Sequence, residues 1–134
     1  MTNLPIVEFA YPGPLRDTLV AAVLTGAKTT TASLLVQYAD EEMPRVGERG
    51  AVVDSAGVVV GVIETTGVDV VALKDVSFQH AFDEGEGYAD VAQWRAGHER
   101  FWHSTEVRAE LGDPHFTVDD DTQVVLERFV LVPE

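Results

Sequence analysis

Cysteine is absent from the 134 residues, which excludes disulfides, cysteine-ligated zinc and thiol nucleophiles together. Basic residues are scarce: nine Lys and Arg stand against 23 Asp and Glu, for a formal net charge of −14. Proteins that hold long nucleic acid displace its counterions with clustered basic side chains, and this surface as a whole repels a polyanion. A short, weakly charged or neutral ligand suits it better, although acidity also serves plain solubility. No apolar run approaches the ~20 residues needed to span a bilayer, so no membrane partner is expected. The opening "MTNLPIVEFAYPGP" lacks the basic segment and apolar run of a secretory signal, and a cytoplasmic location is the expectation. Walker loops, dinucleotide fingerprints and nucleophile elbows are missing. His80, His98, His103 and His115 follow no familiar helical metal-ligand spacing, so neither metal nor cofactor is expected.

What is present reads as one domain over residues 1–134, without repeats or linkers. Pro14 to Thr25 has the apolar stripe of a helix (Leu15, Leu19, Ala22, Val23), with Pro14 suited to its first turn and Gly26 to its end. "KTTTASLLVQY" follows as a strand, then the loop "ADEEMPRVGERG". "AVVD" and "VVVGVIETTGVDVVAL" read as strands joined by a turn at Ser55–Gly57, and their apolar residues on both parities imply burial on two sides. Gly61 and Gly67 mark bulges or bends. A helical insert from Val76 to Leu111 precedes the final strand, "TQVVLERFVLV". Within the insert, Asp90 with Gln93 resembles a capping box. Val91, Trp94, His98, Phe101, Trp102 and Thr105 then share one helical face, mainly a core stripe. The order predicts an α+β fold with a curved sheet or small barrel.

Three residues stand out chemically. Lys28, in "GAKTTTAS", is either a solvated cation completing a helix end or an amine in a pocket beside hydroxyls. In the second case desolvation favours its neutral form, and it can act as base toward Thr31. Glu64 interrupts "VVVGVIETT", where a carboxylate needs a partner or a cleft; Lys28, Arg95 and Arg128 are the partners considered. His98 is either a satisfied core histidine or part of a pocket with Trp94 and Arg95. The acidic runs "DEGEG" and "VDDDT" could attract a hard cation but are read as solvated loops, the glycines of the first freeing the backbone around Glu84 and Glu86.

Gly26-Ala27-Lys28-Thr29-Thr30-Thr31 after an opening helix, the Pro44–Gly47 approach to a strand, "VIETT" at 62–66 and "EGEGYADVAQWRAGHERFW" at 84–102 together resemble the ASCH family of the PUA-like superfamily. The long insert is similar to a bacterial branch described as predicted RNA-binding. The resemblance implies a small PUA-like β-barrel of about five to six strands, with helices around it and a ligand cleft beside the lysine motif. It also implies one of two activities: removal of an acyl group from N-acylated cytidine, or cleavage of single-stranded RNA. A non-catalytic reader of RNA or a modified nucleoside is the third possibility. By that resemblance the catalytic residues are Lys28, Thr31 and Glu64. Gly26, Thr29, Thr30, Ser33, Trp94, Arg95 and His98 are the expected ligand contacts. The family's common arginine after the threonines is replaced by Ala32-Ser33-Leu34. The partner expected is a nucleoside or a short single-stranded RNA.

Overall fold

The structure, a computed structural model, describes residues 4–133. In chain order the elements are β1 (Ile6–Val7), α1 (Pro14–Thr25), β2 (Thr30–Leu34), β3 (Arg49–Val53), β4 (Val59–Ala72), α2 (Phe78–Asp83), α3 (Val91–Trp102), α4 (Thr105–Leu111) and β5 (Gln123–Leu131). Short 3-10 turns follow β2 and β4. The α+β expectation holds, with five strands in the order β1-β3-β4-β5-β2. Among the described residues only β1 and β3 run parallel; the other pairs are antiparallel. The expected barrel does not form. β1 and β2 lie at opposite edges of an open sheet, and a barrel needs those two edges joined by hydrogen bonds.

Local chemistry explains the boundaries. Pro14 opens α1, and Gly26, at φ 85°, closes it with its N–H on the Val23 carbonyl, a left-handed cap that glycine adopts without strain. Asp90 caps α3 by accepting from the N–H of Gln93. The other half of the expected box is displaced by one residue, since Gln93 Oε1 accepts from the N–H of Ala89.

Two cores flank the sheet. Phe9, Leu19, Val20, Val23, Val52, Ile63 and Phe129 pack between α1 and one face. Leu34, Leu73, Trp94, Trp102, Val107 and Val124 pack between α3, α4 and the other. The pairing of β4 with β5 explains how one strand serves both. Thr65 opposes Phe129 and Gly67 opposes Arg128, so Thr66 is an extra residue and the register shifts there. Such a bulge reverses side-chain parity along the strand. Ile63 therefore joins the α1 core while Val71, of the same parity, packs on the α3 core. The two-sided apolar pattern comes from this reversal. Gly61 flanks a second register shift, between Val52 and Val53.

Candidate active site

The chain leaving α1 turns at Gly26 and sends Lys28 inward. The Lys28 side chain is 2% exposed. Its Nζ donates to the Thr30 carbonyl at 2.8 Å and to the Glu84 carbonyl at 3.4 Å, and lies 3.8 Å from Glu84 Oε1. The ring of Phe9 sits over the amine, 5.7 Å from ring centre to Nζ. Buried Arg16 holds that segment in place by donating to the carbonyls of Phe9 and Ala10. Lys28 is thus a buried cation rather than the solvated one of the helix-end reading, and its partners are carbonyls and a carboxylate rather than hydroxyls.

The carboxylate that meets Lys28 is Glu84, 56 residues away, and its position depends on glycine. Gly85 has φ +73°, and a Cβ there would lie 2.5 Å from the Ala27 carbonyl oxygen and 2.9 Å from the Lys28 nitrogen. Only a residue without a side chain lets the two backbones approach so closely. The "DEGEG" run is consequently no solvated loop: Glu84 is 1% exposed. Its Oε2 accepts from His80 Nε2 at 2.7 Å, and its Oε1 is 3.0 Å from His98 Nε2. His98 Nδ1 faces the Trp94 carbonyl at 2.9 Å. A carbonyl only accepts, so Nδ1 carries a proton. Nε2, facing a carboxylate, carries one as well, which makes His98 an imidazolium stacked on the Trp94 ring at 4.2 Å.

The electrostatics agree with these bonds. Burial pulls His98 down, but the hydrogen bond and charge of Glu84, with the Trp94 carbonyl, leave it raised. For Glu84, burial acts to raise, yet the hydrogen bonds of His80 and His98 and the charge of Lys28 outweigh it and hold the carboxyl well below its usual range. Burial lowers Lys28 against the opposing pull of Glu84 and Glu86. Glu86 is only partly buried; desolvation raises it, with Lys28 opposing and Glu84 reinforcing. Tyr88 completes the rim, its hydroxyl so close to Gly97 that a Cβ there would lie 2.4 Å from it. On the far side of Glu84, His80 lines a cleft of about 120 Å3 with Thr30, Ser77, Leu126, Glu127 and Arg128.

Of the expected site residues, Lys28 and His98 meet through Glu84, Thr30 and Trp94 join them through their backbone carbonyls, and the others lie apart. Glu64 is paired with Arg49 at 2.9 Å on the β3–β4 rung, with its side chain 35% exposed. Its interruption of an apolar run marks a cross-strand ion pair, and it is not among the partners of Lys28. Thr31 opposes Glu127 in the β2–β5 register. Strand alternation puts it on the sheet face opposite to Thr30, whose buried hydroxyl donates to the His80 carbonyl. Ser33 Oγ and the Tyr38 hydroxyl share a 2.9 Å bond on that same opposite face. Thr29 is held through its backbone, N–H to Asp83 and carbonyl from Phe129, and Gly26 serves as the helix cap. Trp94 is fully enclosed, so it has no surface for stacking on a ligand. Arg95 points outward to Glu99 and Asp120, at 2.8 and 2.7 Å. Glu84, Glu86 and His80 were not among the expected site residues; the acidic run and its two glycines were the sequence signal for the glutamates, and His80 had none.

Comparison with known proteins agrees with the fold. The family model for the ASCH domain matches residues 7–133. The crystal structure of an ASCH domain from Lactobacillus crispatus JV V101 superposes with a TM-score of 0.82 at 29% identity, over 97% of this chain and 80% of that one. A protein of Enterococcus faecalis V583, described by the family model DUF984, superposes with a TM-score of 0.84 at 25% identity, over 98% of this chain and 78% of that one. No curated protein matches. The chain belongs to the ASCH domain family.

Proposed function

We propose that this ASCH domain is a hydrolase that removes the acyl group from an N-acylated, cytidine-type nucleoside received in the cleft beside His80. The observation that carries this reading is a fully buried Glu84 joining Lys28 and His98 on one side to a cleft-lining histidine on the other. Charge buried this densely is costly to keep, and such clusters concentrate at functional sites.

The arrangement supports a division of roles. Glu84 fixes the His80 ring with Nε2–H toward itself, so Nδ1 is left as the acceptor for the proton of an attacking water. The carboxylate stabilises the imidazolium that forms. Lys28 and His98 keep Glu84 ionised throughout. Water adds to the acyl carbon, the C–N bond breaks, and the proton passes from His80 to the departing amine. The products are a carboxylic acid and the free nucleoside. This route uses water in place of the Thr31 hydroxyl and leaves Glu64 without a role. The acidity of the chain suits such a ligand, which carries no phosphate.

A screen of N-acylated nucleosides tests it. Wild type turns over at least one, and His80→Gln, which keeps a donor to Glu84 but has no basic nitrogen, loses at least ~100-fold in kcat. Glu64→Gln stays at the wild-type rate. An unimpaired His80→Gln variant would remove the proposed base. Binding of a nucleoside without turnover would leave a reader module.

One observation favours ribonuclease action as a second reading. Phe78 and Phe82 on α2 are 48% and 62% exposed, with rings 6.1 Å apart, and Arg128 lines the cleft next to that helix. Exposed aromatic rings beside a cation suit stacked bases of a single strand. Cleavage of short single-stranded RNA, weakened by salt and by Phe82→Ala, is the outcome that reading requires.

A further inference from the structure

On the other side of Glu84 from the His80 cleft, Glu84, Glu86 and His98 each present one ligand atom, and these atoms lie within 4.8 Å of one another. We propose that these three residues form a binding site for one six-coordinate first-row divalent cation of the Mn2+ type. The proposal does not depend on the hydrolase reading.

Glu84 Oε1 and His98 Nε2 stand 3.0 Å apart, the separation of the hydrogen bond that joins them, and an ion enters by replacing the proton between them. The donor set selects the element and with it the octahedral preference. An imidazole with two carboxylates suits manganese or iron better than magnesium or calcium, which prefer oxygen alone. Three protein ligands leave three positions for water.

Both firmly held donors are already braced from behind, as metal ligands commonly are. His98 Nδ1–H is anchored on the Trp94 carbonyl, which turns Nε2 toward the site. Glu84 Oε2 is anchored by His80, which leaves Oε1 for the ion. Neither anchor belongs to the three ligands. Lys28 is the nearby opposing charge, 3.8 Å from Oε1. Its two hydrogen bonds, however, go to the carbonyls of Thr30 and Glu84, so it does not fill the ligand position. The ion takes the place of the His98 Nε2 proton, which is released to solvent. No helical spacing announces this site, because two ligands come from the glycine-flanked loop and the third from α3.

The test is a Mn2+ titration of the purified chain, followed by calorimetry and electron paramagnetic resonance without any nucleoside present. The expected result is one saturable ion per chain, with His98 the first histidine broadened in NMR spectra. Glu86→Gln, at a partly buried position, should keep the wild-type melting temperature and lose at least ~10-fold in affinity. Lys28→Met, by removing a neighbouring positive charge, should bind Mn2+ more tightly than wild type. Glu127→Gln, a carboxylate elsewhere on the sheet, should bind unchanged. Diffuse, unsaturable binding, or equal affinity in Glu86→Gln, assigns the ion to the acidic surface and overturns the proposal. Deacylation that persists in chelator alongside saturable Mn2+ binding leaves the site standing and separates it from the hydrolysis.

Discussion

Replacing Glu84 with glutamine keeps the shape of the side chain and removes the charge on which the interior group depends. Lys28 and His98 would then face a neutral amide at 2% and 13% side-chain exposure. Breaking a buried ion pair by neutralising one member costs about 3–5 kcal/mol, because the other member is left charged without a partner or must give up its proton. Unfolding entropy near 60 °C is about 2.1 cal/mol/K per residue, which over 134 residues is about 0.28 kcal/mol/K. The predicted fall in Tm is therefore about 11–18 °C. Scanning calorimetry measures it directly, and urea unfolding should show a lower midpoint at unchanged slope. The double variant Lys28→Met/Glu84→Gln should be less damaged than the sum of its singles, with a coupling of about 1–3 kcal/mol. A loss under about 1 kcal/mol for Glu84→Gln, or strict additivity in the cycle, would mean that the group is hydrated and only loosely associated, and the reasoning would fail.

Two further outcomes follow from other features. Gly85→Ala forces a side chain into the Ala27–Lys28 backbone at a positive φ and should cost at least about 2 kcal/mol in denaturant unfolding, whereas Gly87→Ala, with open space around its Cβ, should cost about 1. Glu127 is raised by burial, with the Thr65 hydroxyl opposing and Glu48 adding to the rise. Between its unfolded and its raised folded pKa the native state binds more protons, so this group's contribution falls as pH rises through that window. Glu127→Gln should flatten that part of the pH–stability curve measured by thermal melts; an unchanged slope refutes it.

The strands were legible because valine and threonine so densely arranged fit a pleated, buried surface. Closure into a barrel was not legible, since it depends on whether two edges meet, and no residue pattern within β1 or β2 encodes that. Lys28 was legible as an oddity between a cap glycine and threonines. Its partner was misread for a physical reason: a carboxylate inside an apolar run looks stranded, yet Glu64 reaches Arg49 across one rung. Glu84 had the opposite disguise. Acidic neighbours and two glycines are the composition of a water-exposed turn, and only the close approach of Gly85 to Ala27 carries it indoors. Trp94 and His98 share a helical face as the spacing indicated, but the face is filled by its own members.

The extra residue at Thr66 has a mechanical corollary. Because β4 crosses from one interior to the other at that point, neither layer of helices can be peeled away without disturbing the strand that anchors its counterpart. The two layers should melt as one transition. A single deletion there would turn the inward residues of half the strand out to solvent, so the length of this segment is constrained more tightly than its composition.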